Sequence, residues 1–182
     1  MPCPGVTNIT IEALNDRNRR ALLALETNAR RRSEETGELV ILALFDVIEN
    51  ALRTRTKNGC AFINASLEIN RPGHPVREAA LAHLRAREGL VHQLLTEAGV
   101  EDADLAAQVT LLVDGAYAGR FLKEAAADAG LAEWAQTLAG EIAQRRGDAA
   151  AAEAHFRAAL ALDSRDLYLL AAYADFLLDR NR

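Results

Sequence analysis

Four histidines, two cysteines and a scatter of carboxylates are the residues of this chain able to move protons, hold a metal or act as nucleophiles. The histidines are His74, His83, His92 and His155; His83 and His92 stand nine positions apart, on opposite sides of one helix, and cannot share a metal. No Cys-x-x-Cys, His-Glu-x-x-His, glycine-rich phosphate loop or Gly-x-Ser-x-Gly elbow occurs. Glu34 with Glu35, and Asp102 with Asp104, read as solvated faces and helix caps. His83, with Arg87 one turn later on an inward face, is the polar pair best placed to orient a ligand; the plainer reading is a core histidine hydrogen-bonded within the protein. Cys60, in an apolar segment with nothing placed to activate a thiolate, reads as a small buried hydrophobe. Catalysis therefore has no supporting residue set, no cofactor or metal is expected, and the work implied is binding.

The elements that must position these residues are helices. Of 182 residues, 50% are hydrophobic and 26% charged, a globular balance, and the net charge of −5 provides no general attraction for nucleic acid or an anionic membrane. No apolar run is long enough to span a bilayer, and the start Met1-Pro2-Cys3-Pro4-Gly5 is unlike a signal peptide, so a cytoplasmic protein is expected. Cys3 and Cys60 alone make a structural disulfide an unattractive reading.

Proline occurs only at positions 2, 4, 72 and 75, leaving the chain from Val76 onward free to form helices joined by tight turns. The polar first segment, 1–38, suggests a helix capped near Thr10 and running to about Arg32, with a thin stripe of Ile11, Leu14, Ala21, Leu22 and Leu25. Its arginines (Arg17, Arg19, Arg20, Arg30, Arg31, Arg32) alternate with acids and read as a solvated face. An amphipathic helix is expected over 39–53, a short one over 60–69 and a long one from Pro75 to about Ala98, stopped by Gly99. The next is capped by Asp102 or Asp104, runs to about Asp128 and is closed by Gly130. Three more follow, at 131–146, 149–162 and 166–179, separated by turns short enough to make neighbours antiparallel. The expected division is 1–38, 39–129 and 130–182, all of it α-helical.

The segment Gly59-Cys60-Ala61-Phe62-Ile63-Asn64-Ala65, followed by His74-Pro75-Val76 and by Leu111-Leu112-Val113-Asp114-Gly115-Ala116, resembles the C-terminal regulatory domain of TetR-family transcriptional regulators over about 39–122. The resemblance implies a helical domain that pairs with a second copy and holds a small apolar ligand between helices. Candidates for its lining are Phe45, Cys60, Phe62, Ile63, Leu67 and Leu90, with His83 and Arg87 as polar contacts; the alternative is that the apolar members simply fill a core. Leu112, Gly115, Ala116 and Gly119 are the candidate dimer surface, because two glycines one turn apart let another helix come close.

Residues 1–38 lack the pattern of the helix-turn-helix that TetR-family regulators carry, so DNA reading by this chain is not expected. Further on, Gly140, Gly147-Asp148, Ala152, Phe156, Ala159 and Leu162-Asp163-Ser164 resemble one tetratricopeptide repeat, with the helix over 166–179 as the start of another. One and a half repeats fall short of the roughly three that a free solenoid needs, so these helices either dock on the preceding domain or expose an apolar face to a protein partner. A sensing or titrating regulator, an interaction adaptor, and a truncated or fused gene product are the readings that result.

Overall fold

The structure, a computed structural model, describes residues 4–54, 60–119 and 126–180. Among them are eight helices and no strand: α1 (Pro4–Thr36), α2 (Val40–Thr54), α3 (Ala61–Glu68), α4 (Pro75–Glu97), α5 (Ala103–Gly119), α6 (Ala126–Arg145), α7 (Ala149–Leu162) and α8 (Leu167–Arg180). The all-α class follows the sequence pattern, and so do most of the stops. Gly37, Gly73, Gly99 and Gly147 all take positive φ, which a side chain would resist. At Gly99 the reversal is sealed by Val100 N–H donating to the Leu95 carbonyl at 2.9 Å.

Starts are fixed by short polar side chains. His74 Nδ1 accepts from Val76 N–H ahead of Pro75, Asp102 accepts from Leu105 N–H at 2.9 Å, and Asp148 from Ala151 N–H at 3.0 Å. Two expectations fail. Thr10 is not a cap but lies inside α1, because nothing after Pro4 interrupts helix formation and proline is tolerated in a first turn. Gly130 does not end a helix either; it lies within α6, where a lone glycine costs only about 1 kcal/mol relative to alanine. The expected continuation of α5 beyond Gly119, with Cys3 and Gly59, lies outside the described residues.

Two apolar clusters form the interior. The first joins Ile41, Leu44, Phe45, Ile48 and Leu52 of α2 to Leu90, Val91, Leu94 and Leu95 of α4, with Leu105, Val109 and Val113 of α5 closing one side. The second gathers Ala152, Phe156 and Ala159 of α7 and Leu169 and Phe176 of α8. Helix α6 serves both, giving Leu131, Leu138 and Ile142 to the first and Ala143 to the second. The last three helices thus dock on the earlier ones, α6 lying against α2 and α5. Arg145 reinforces the junction by donating to Asp102 and Glu141, each at 3.0 Å, while the Tyr168 hydroxyl donates to Glu141 at 2.5 Å. Leu167 and Leu178 of α8 remain exposed.

The α6–α7 hairpin is close because Gly140 faces the fully buried ring of Phe156. A Cβ added there would meet Phe156 Cε1 at 2.9 Å, and Tyr173 and Phe176 hold that ring at centroid distances of 5.5 Å. Gly140→Ala sets a helix-propensity gain of about 1 kcal/mol against an overpacking cost of about 1–3 kcal/mol. The expected outcome is a lower urea midpoint for G140A; a higher midpoint would mean that the Phe156 ring yields.

Candidate functional site

A cavity of about 820 Å³ opens between α1, α2 and the α3–α4 pair, within the size range of small-molecule sites. One wall is the thin stripe of α1, Ala21, Leu22 and Leu25; opposite stand Val47, Ala51 and Leu52 of α2. Phe62 of α3, His83 and Arg87 of α4 and Tyr117 of α5 close the far side, and Cys60 stands at the start of α3.

Four of the eight residues expected to line a ligand site are therefore brought together: Cys60, Phe62, His83 and Arg87. Phe45 and Leu90 are instead packed in the first core cluster. Ile63 is half-buried and outside the lining, and Leu67 is 71% exposed. The reason is angular: α3 is short, and once Phe62 points inward, a residue five positions on is turned well over a quarter circle away. On α5, Gly115 is exposed while Leu112 is half-buried and Ala116 packs against the core; Gly119 is the last described residue of that helix. Sequence reasoning missed Asn18 and Tyr117. Asn18 stands one turn from both Leu14 and Leu22, a polar residue within an apolar stripe, and that interruption is the signal that finds it.

His83 is buried, its ring stacked on Phe62 with centroids 3.7 Å apart, and its Nδ1 lies 2.7 Å from Asn18 Oδ1. A carbonyl oxygen only accepts, so Nδ1 carries the proton and Nε2 is left as the ring's acceptor. Burial, aided by the positive charge of Arg87, pushes the His83 pKa down to about 4. Arg87 itself is 3% exposed, pairs with Asp114 and sits over the Tyr117 ring at 5.4 Å. Its Nε is buried with no hydrogen-bond partner among the described residues.

The rim is charged. Arg31 pairs with Glu35, Arg32 with Asp46 at 2.8 Å and Arg53 with Glu49 at 2.6 Å. Arg30 ties α1 to α4 through Glu97 at 2.9 Å. Such exposed pairs contribute about 0–1 kcal/mol each, so they set the orientation of α1 more than its stability. Among the described residues no group of three or more His, Cys, Asp or Glu is placed to hold a metal, and no helix is long and apolar enough to cross a membrane.

The depressed His83 pKa fixes the sign of a pH effect. An unfolded imidazole takes a proton near pH 6.5 that the folded one refuses until about pH 4. Stability is thus fully present above pH 6.5 and declines as pH falls through that window, by up to about 1.4 kcal/mol per unit. Denaturant unfolding of the wild type between pH 7 and pH 4.5 (roughly that window) should show the decline, and H83Q, which cannot titrate, should flatten it. Equal slopes would place the ring in contact with solvent.

No protein-family model matches the chain, and no solved structure matches it. Over 95 residues, 52% of its length, the chain is 30% identical to the HTH-type transcriptional regulator YjdC of Escherichia coli (strain K12) and, to the same extent, to the regulator of that name from Shigella flexneri. That stretch is 50% of each, so the chain spans about half the length of the curated relatives it matches. A relationship to transcriptional regulators over about half the chain is what the similarity supports.

Proposed function

We propose that this protein is a non-catalytic regulator that senses a small, largely apolar molecule in the α1–α5 cavity and works as a dimer, in the manner of the C-terminal domain of TetR-family regulators. The observation that carries the reading is the cavity of about 820 Å³, lined by apolar side chains of α1, α2 and α3 and by a charged and polar rim, with two buried polar groups, His83 and Arg87. The similarity to transcriptional regulators and the TetR-like pattern over 39–122 supply the regulatory context. On this reading residues 39–129 carry the sensing and residues 130–182 form the appended tetratricopeptide-like helices. Residues 4–36 form one unbroken helix where a helix-turn-helix would have two helices and a turn, and we assign that segment no groove-reading role.

Dimerisation is assigned to the outer side of α5, where Leu111, 71% exposed, stands one turn from exposed Gly115. A second reading, an interaction adaptor, is favoured by the exposed leucines of α8, chiefly Leu167 at 82% and Leu178 at 58%.

A thermal-shift screen of apolar and aromatic small molecules tests the sensing. Some should raise Tm, and L22W, which fills the cavity from α1, should abolish that rise without lowering the basal Tm; Phe62→Ala should weaken it. If no compound raises Tm, the sensing reading falls. Sedimentation measures the pairing: Leu111→Glu should yield monomers and the double variant L167E/L178E should remain dimeric, whereas the reverse result would move self-association to α8.

A further inference from the structure

We propose that the molecule taken up by this cavity is an organic acid: an apolar, ring-sized body carrying one carboxylate, which Arg87 Nε receives. The inference rests on the sensing reading and adds the ligand's chemical class. Its starting point is an unmet donor. Arg87 is among the most buried charged groups of the described residues, its side chain lines the cavity, one arm of its guanidinium is engaged by Asp114, and its Nε, itself buried, meets no acceptor among the described residues. A buried donor left without an acceptor is costly, and most so on a charged group, so an acceptor arriving with the ligand removes a standing penalty as well as forming a bond.

The second observation is the sign of the lining. Five arginines face the cavity against two acids, Asp46 and Glu49. Counting Glu35 and Asp114, the partners of Arg31 and Arg87 outside the lining, still leaves a positive balance. Arg31, Arg32 and Arg53, each paired with an acid and more than two-fifths exposed, stand at the rim with exposed Arg17, and draw an anion toward the opening rather than hold it. Arg87 alone is deep. A single buried guanidinium already sharing its charge with Asp114 suits a monoanion, and the surrounding Leu25, Leu52, Phe62 and Tyr117 suit an apolar body. His83 does not compete for the acid: its Nδ1 proton is committed to Asn18, and its remaining nitrogen accepts.

Calorimetric titration of the full chain with benzoate, cinnamate and naphthoate, each beside its primary amide, tests the assignment. At neutral pH the acid of at least one pair should bind about tenfold or more tighter than its amide. Arg87→Lys, which keeps a charge but loses the Nε donor, should erase most of that preference while the amide binds as before. Because Arg87 is buried against Asp114, the charge-free pair R87M/D114N, confirmed folded by its thermal melt, serves as the second variant and should likewise erase it. Amides binding as tightly as the acids would overturn the inference while leaving the sensing reading standing. A preference for acids that survives both variants would also overturn it, by moving the recognition to the rim arginines. Binding by neither series would overturn it too, and the apolar thermal-shift screen would then decide the sensing reading separately.

Discussion

The structure depends on the burial of α2. Its side chains Ile41, Leu44, Phe45, Ile48 and Leu52 are almost wholly withdrawn from water, and the helix touches α1, α4 and α6. Each such side chain contributes about 1.5–3 kcal/mol when fully buried, which makes α2 the seat of the bundle's hydrophobic stabilisation. The same helix also lines the cavity: Val47 and Ala51 of α2 stand at its wall with Ala21, Leu22 and Leu25 of α1, while Val47 and Leu25 pack on the core as well.

Polar groups divide into two kinds. Surface pairs such as Arg30 with Glu97 and Arg32 with Asp46 are exposed and weak, and they orient α1 over the opening. The pair of Arg87 and Asp114 and the contact of His83 with Asn18 are different in consequence, since removing Asp114 or Asn18 strands a buried Arg87 or His83 away from water. They sit at the seam between α1, α4 and α5, and they make that seam chemically selective rather than merely hollow.

Much of this was legible in the residues. Helical periodicity located α2, α4, α7 and α8 closely, because glycine, proline and short acidic caps mark their ends. His83 and Arg87 were identifiable as inward-facing because they stand one turn apart on the inward side of one helix, and Phe62 through the TetR-like segment that contains it. The rest was not local. Asn18 meets His83 across 65 positions of chain, and no pattern within α1 announces which helix its thin stripe will face. Leu67 looked like lining because it is apolar, yet a short helix packed on one side leaves its other side to solvent. Gly130 looked like a stop because glycine often is one; packing of the residues after it decided otherwise.

The dual membership of α6 has a thermodynamic meaning. Ile142 and Ala143 are adjacent in the chain yet belong to different clusters, so one rigid peptide unit is anchored in both. Loosening around Phe156 removes support from the same helix that covers α2, and disorder on one side is transmitted as lost free energy on the other. The change of texture along the chain near residue 130 thus falls within a helix that both clusters share as a wall, not at a gap between them.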